Sequence, residues 1–227
     1  MFLPGPRSLA PSRIDAYRRS GMGASTHWRR FAVGLVTSVL VAGHPAIASE
    51  DEGARLASGR PVVREENVER EGHRYIGGVS YILIDAPLDE VIAALQDVRA
   101  YSQILPQTRS VRWVGMSRKG DALIELEQGN AIAHGKYTVR VRRERGTDEG
   151  SAETIRFWID RRYSHDLDDA SGFFHVESRG NATLLTYVIL VDLGHGLVSH
   201  FFESRVRRAA LSTPVLVKRY VESHRPT

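Results

Sequence analysis

The sequence predicts an α+β domain in which one antiparallel sheet lies against a long C-terminal helix. Three observations carry this. A proline-started amphipathic helix stands between two strand-like runs at residues 81–114, apolar residues alternate through several segments up to Asp192, and a helical stripe closes the chain. Tyr81 to Ile84 is an apolar, β-rich run ended by Asp85-Ala86-Pro87, and proline suits a helix start because no donor is lost there. Leu88, Val91, Ile92, Leu95 and Val98 then recur at helical spacing and leave Asp89, Glu90 and Gln96 on the wet side. A second short turn at Ala100–Leu105 stops at Pro106, because the residue before a proline is pushed out of helical geometry.

Six strands are expected after these helices. Arg109 to Val114 is the first. Asp121 to Gln128 sets Ala122, Ile124 and Leu126 against Glu125 and Glu127, and Tyr137, Val139 and Val141 alternate with Lys136, Thr138, Arg140 and Arg142. Ile155, Phe157 and Ile159 oppose Arg156, Trp158 and Asp160. Phe173 to Ser178 and Thr183 to Asp192 form the last pair across the tight turn Arg179-Gly180-Asn181. Gly77-Gly78 precedes a strand, not a helix, so it reads as a bulge or a close backbone approach.

The closing stripe runs through Phe202, Val206, Ala209, Ala210, Thr213, Val217 and Tyr220. Pro214 interrupts it. An internal proline would cost about 3 kcal/mol, whereas Thr213-Pro214 makes a good start for a fresh helix, so a broken element is expected with Leu197 to Leu211 gripping the sheet.

Ala86, Pro87, Val91, Asp97, Tyr101, Leu105 and Pro106, about thirty positions with their flanks, resemble the opening of the START-like, helix-grip (SRPBCC) domains. Among these the chain is most similar to the polyketide cyclase/dehydrase and coenzyme Q-binding families. The resemblance implies a β-α-α-β6-α order, with a curved antiparallel sheet of about seven strands wrapped around the C-terminal helix and a ligand cavity between them. It says little about the ligand, because this fold hosts carriers, enzymes and regulatory modules alike.

Residues 22–48 read as an export signal. Arg29 and Arg30 precede an uncharged, mostly apolar run from Phe31 to Gly43, and Ala46-Ile47-Ala48 supplies a cleavage pattern that places the mature start at Ser49. The apolar run is thirteen residues long, well short of the roughly twenty that span a bilayer, so removal is expected in place of anchoring. Residues 1–21 have no place ahead of such a signal, which points to Met22 as the true start. Residues 49–72 are polar and read as a flexible arm, and the domain is expected over 73–225.

The 227 residues carry a formal charge of +4. Six Arg and one Asp lie in residues 1–48, so the remainder holds 25 basic and 26 acidic residues, and the basic balance belongs to the leader and is no sign of nucleic acid. The absence of cysteine excludes disulfides and thiol chemistry. An exported protein of periplasmic or extracellular destination is expected.

The candidate cavity lining is Tyr101, Leu105, Trp113, Leu126, Tyr137, Trp158, Phe174, Phe201, Phe202, Val206, Ala209 and Ala210. For each aromatic of this set, ordinary core packing is the plainer reading. Of the clustered histidines, His165, His175, His195 and His200 match no metal-ligand spacing, and Asp166, Asp168 and Asp169 lack the glycine and terminal glutamate of a calcium loop. No metal and no cofactor are expected. Glu125, Glu127, Asp160 and Tyr187 are the groups an acid/base reading would use, but alternation sets both glutamates opposite the apolar face and Asp160 beside Arg156, and no catalytic residue is assigned. Arg140, Arg142, Arg143 and Arg145 on one strand, and Arg205, Arg207 and Arg208 on the last helix, could touch anionic lipid head groups, with Arg140, Arg142, Arg205 and Arg208 the candidates. Pairing of the strand arginines with Glu144 or Glu153 is the plainer alternative. The leading expectation is a binder of a hydrophobic small molecule, lipid, quinone-like or polyketide-like. A cyclase or dehydratase using the same cavity, or a partner-binding module with a filled cavity, are the other readings.

Overall fold

The computed structural model describes residues 50–129, 134–146, 152–194 and 197–224, the side chains of 197–201 excepted. Its elements are α1 (Glu50–Ala57), β1 (Val62–Arg70), β2 (His73–Ile84), α2 (Leu88–Gln96), a 3₁₀ turn (Val98–Ala100), α3 (Tyr101–Ile104), β3 (Thr108–Met116), β4 (Ala122–Gly129), β5 (His134–Arg145), β6 (Ala152–Ile159), β7 (Asp169–Arg179), β8 (Ala182–Asp192), α4 (Leu197–Leu211) and α5 (Thr213–Ser223). The strands form one antiparallel sheet in the order β1-β2-β8-β7-β6-β5-β4-β3, so the chain leaves the sheet after β2 for α2 and α3 and re-enters at the opposite edge. This is the helix-grip architecture, with eight strands where seven were expected.

The additional strand lies in the segment read from sequence as a flexible arm. Residues 62–70 pair with β2 in unbroken register from Val62 opposite Tyr81 to Arg70 opposite His73, and α1 buries Leu56 and ties Glu52 to Arg64 at 2.6 Å. The sequence Val-Val-Arg-Glu-Glu-Asn-Val-Glu-Arg hides this strand because an edge position needs no alternating apolar face and is protected from mispairing by its charges. Strand β2 likewise starts at His73, eight residues before the apolar run begins. Gly77 and Gly78 sit inside it at φ +157° and +143°. A Cβ at Gly77 would lie 1.9 Å from the Ile189 carbonyl oxygen and one at Gly78 2.0 Å from that of Arg64, so both are close backbone approaches that a side chain would forbid.

Helix α2 buries Val91, Ile92, Ala94 and Leu95, the stripe the spacing anticipates. Asp97 closes it, and its carboxylate accepts the Arg99 N–H to start the 3₁₀ turn. At the other end the broken helix is as expected: α4 stops at Leu211, Ser212 intervenes, and Pro214 occupies the first turn of α5. The deepest burial belongs to α5, where Thr213, Val217 and Val221 are almost wholly enclosed, whereas among the described side chains of α4 Leu211 is the buried one. Both helices lie on β2 and β8, and α5 also packs on α2 and α3. Lys218 donates to the Leu83 carbonyl at 2.8 Å and Glu222 accepts the Asp85 N–H at 2.9 Å, which fixes α5 to the exit of β2.

The core lies between the helices and one face of the sheet. Ile82, Ile84, Val91, Leu95, Ile104, Ile124, Val176, Leu185 and Val217 are buried to 2% exposure or less, each worth about 1.5–3 kcal/mol against exposure. No helix among the described residues is long and apolar enough to cross a membrane.

Candidate functional site

The helix-facing side of the sheet is a continuous apolar surface built by period-two alternation. Across it run Val111 on β3, Ile124 and Leu126 on β4, Tyr137, Val139 and Val141 on β5, Ile155, Phe157 and Ile159 on β6, Ala170, Phe174 and Val176 on β7, and Leu185, Tyr187, Ile189 and Val191 on β8. Three rings form its centre. Phe174 stacks on Tyr187 with centroids 4.6 Å apart, and Phe157 lies 5.7 Å from Phe174 and 6.0 Å from Tyr187. Alternation in β6 and β8 identifies Phe157 and Tyr187 as members of this face, although neither was in the candidate set.

This face is incompletely covered. Val111, Val141 and Phe157 remain half-buried although β5 and β6 are interior strands, and on α4 Phe202, Val206, Ala209 and Ala210 are half-buried too. Sheet and helix thus each keep partly exposed apolar surface.

Of the sequence candidates, Tyr101, Leu126, Tyr137 and Phe174 are buried members of the core cluster, and Leu105, Val206 and Ala210 pack against it. Tyr101 donates to the Leu95 carbonyl at 3.0 Å and its hydroxyl is pushed up in pKa by burial. The Tyr137 hydroxyl donates to Gln128 Oε1, and Gln128 in turn donates to the Pro106 carbonyl at 3.0 Å and to Thr108 Oγ1 at 3.1 Å, which fastens α3 to the β3–β4 pair. The side chain of Phe201 lies outside the described residues, as do His195 and the side chain of His200.

One candidate is corrected and one stands at the rim. Trp113 pairs with Ile124 and so lies on the helix-facing side, but on edge strand β3, beside an irregularity in register between Trp113 and Gly115, it is 51% exposed. Trp158 is on the opposite side of the sheet, under the guanidinium of Arg142 at 5.2 Å, where alternation with Phe157 and Ile159 must put it. Arg140 and Arg142 are likewise not an open basic patch. Arg140 bonds Asp160 at 2.9 Å and Asp121 at 3.4 Å, and Arg142 bonds Asp121 at 2.7 Å. Arg143 pairs with Glu153 and Arg156 with Glu144. Arg205 and Arg208 are exposed on α4.

The acid/base candidates separate clearly. Glu125 is held on the outer face by Arg112 at 2.9 Å and Lys136 at 3.1 Å, and the Arg112 hydrogen bond leads in lowering its pKa. Asp160 is more enclosed than its shared face with Arg156 suggests, at 4% exposure. Hydrogen bonds from Arg162 first and Arg140 after it overcome the cost of burial and hold it well below the carboxylate range, so it is a fixed anion and not a proton donor. Tyr187 alone of the four faces the helices. Burial raises its pKa while a hydrogen bond with Thr213 opposes the rise, so it stays a neutral hydroxyl.

A family model described as polyketide cyclase / dehydrase and lipid transport matches residues 84–212, more than half of the chain. No curated protein sequence matches significantly. Among solved structures, the STAR-related lipid transfer protein of Xanthomonas axonopodis superposes with a TM-score of 0.60 at 17% identity, covering 71% of this chain and 93% of the other. Human StAR-related lipid transfer protein 5 gives 0.54 at 10% identity, covering 70% and 86%, and the Zhui aromatase/cyclase of Streptomyces sp. R1128 gives 0.51 at 17% identity, covering 70% and 94%. At such identities these likenesses speak for the fold. With the sheet order, the broken closing helix and the matched span together, the chain belongs to the polyketide cyclase / dehydrase and lipid transport family.

Proposed function

We propose that this protein binds a hydrophobic small molecule, of lipid, quinone-like or polyketide-like kind, between the sheet and α4, and that it does so as an exported protein cleaved after Ala48. The observation that supports the reading is apolar surface left partly open on both partners: Val111, Val141 and Phe157 on the sheet and Val206 and Ala210 on α4 are each only half-buried. Apolar surface left half-covered in the middle of a domain is stabilised when a ligand covers it. At about 25 cal/mol per Å2, a few hundred Å2 of ligand supplies several kcal/mol before ordering costs, so micromolar affinity needs no charged anchor.

A cyclase or dehydratase reading has less to work with. The three carboxylates weighed for acid/base work lie away from this face, and the tyrosine hydroxyls on it are neutral and already bonded. Contact with anionic lipid surfaces, if the cargo is collected there, falls to Arg205 and Arg208 on the exposed side of α4.

Native mass spectrometry of protein purified from its own host, followed by solvent extraction, tests the reading. A co-purifying hydrophobic compound is expected, and Ala210→Trp is expected to abolish its uptake with the circular dichroism spectrum unchanged. Undiminished uptake by the variant overturns a site at this helix. A mature N-terminus other than Ser49 overturns the export reading.

A further inference from the structure

His73 opens β2, Asp168 lies in the connection between β6 and β7, and Asp192 ends β8. Far apart in sequence, they converge at one corner of the sheet, with one donor atom from each within 4.8 Å of the others. His73 Nδ1 lies 2.7 Å from Asp192 Oδ2, and Asp192 is 3% exposed. The backbone holds the corner together through the Asp168 N–H, which donates to the Asp192 carbonyl at 3.1 Å. The nearby cation and phenol are spent elsewhere: Arg161 pairs with Asp169 at 3.4 Å and Tyr75 donates to Asp169 at 3.2 Å. Asp168 and Asp192 thus present two formal negative charges to one imidazole.

A second observation concerns the space beside them. Gly194, at φ +79°, brings bare backbone against the Asp168 carboxylate, and a Cβ there would lie 3.0–3.1 Å from its oxygens and carbon. The Gly194 N–H also donates to Asp192 Oδ1 at 2.9 Å, so this turn packs directly against both carboxylates.

We propose that His73, Asp168 and Asp192 bind a divalent cation of the zinc type. One imidazole nitrogen with two carboxylate oxygens is a mixed donor set that suits zinc, whereas calcium asks for six to eight oxygens. The 2.7 Å between His73 Nδ1 and Asp192 Oδ2 is a hydrogen-bond separation. Tetrahedral ligands on bonds of about 2.0–2.2 Å lie about 3.3–3.6 Å apart. That pair therefore opens slightly around the ion, while Asp168, exposed, closes the remaining distance by a rotamer change. Water completes the coordination. The cation would clamp the ends of β2 and β8 and the β6–β7 connection a few residues before α4 begins.

The test is calorimetric titration of the full chain, stripped with chelator, against zinc chloride. One equivalent is expected to bind, about tenfold or more weaker to Asp168→Asn, whose exposed position leaves the fold intact. Cobalt substitution is expected to give a visible d–d spectrum that is lost in His73→Ala. Absence of saturable binding below about 100 μM zinc, equal affinity in Asp168→Asn, or a cobalt spectrum unaffected by His73→Ala overturns the site. Binding of calcium with no binding of zinc overturns the assignment of the nitrogen donor.

Discussion

The ring of Phe157 lies across the α-carbon of Gly172. A Cβ built at position 172 would come 2.6 Å from Phe157 Cζ and 2.1 Å from the Val188 carbonyl oxygen, so the glycine supplies both the seat of the ring and the close passage of β8. Phe157 is the half-buried member of the three-ring stack with Phe174 and Tyr187, and its position sets the floor of the proposed binding space. Gly172→Ala therefore forces the ring and strand apart. A loss of about 1–3 kcal/mol in urea unfolding is expected, with a changed near-ultraviolet circular dichroism spectrum from the displaced rings. Unchanged stability would refute the seating of Phe157 on this glycine.

A second expectation follows from the unequal partners in the Tyr187–Thr213 pair. Thr213 Oγ1 donates to the Ala210 carbonyl at 2.8 Å and is hydrogen-bonded with the Tyr187 hydroxyl, and both residues are buried. Tyr187→Phe leaves the threonine still bonded to Ala210. Thr213→Val instead strands the tyrosine hydroxyl in the core. The valine variant is expected to lose about 1–3 kcal/mol and the phenylalanine variant less than about 1 kcal/mol, read from denaturant midpoints. The reverse order would show that the hydroxyl has another partner.

Much of this was legible because alternation and helical spacing respond to burial. The α2 stripe of Val91, Ile92 and Leu95, the six strands after the helices, and the break at Pro214 all follow from patterns the core imposes. Strand β1 was not legible for a matching reason. An edge strand carries polar residues on both sides, so Arg64 to Glu66 resemble a loop until β2 is there to pair with them.

The candidate site shows the same division. Aromatic character alone placed Trp113 and Trp158 with the pocket, yet one is exposed on the edge and the other stacks beneath Arg142 on the far face. Side-chain parity was the better guide, since Phe157 and Tyr187 fall on the inner face by alternation with Ile155 and Ile189. The His73, Asp168 and Asp192 corner had no local signal at all. Histidine and aspartate 119 residues apart meet through strand pairing, and no spacing rule reaches that far.

The outer face carries the pH dependence. Asp160 is anchored by Arg162 at 2.6 Å and Arg140 at 2.9 Å, and its pKa falls well below the ordinary value, the Arg162 bond being the largest cause. For Asp121, burial is the largest influence and acts upward, but bonds from Arg142 and Ser117 outweigh it and the pKa is again lowered. A carboxylate whose pKa is depressed by folding contributes stability that is complete above its unfolded pKa of about 3.9 and is lost as the pH falls through the folded value. Asp160→Asn removes one such contribution and leaves Arg140 short of a partner in a half-closed setting. At pH 7 the variant is expected to be about 1–2 kcal/mol less stable than the parent, because solvent screens much of the Arg162 bond. Below about pH 4 the difference is expected to shrink, because the parent then loses what the variant never had. Urea titrations at pH 7, 5 and 3 measure this, and a difference that stays constant or widens toward acid would mean that the Asp160 carboxylate is not held in its charged form by these arginines.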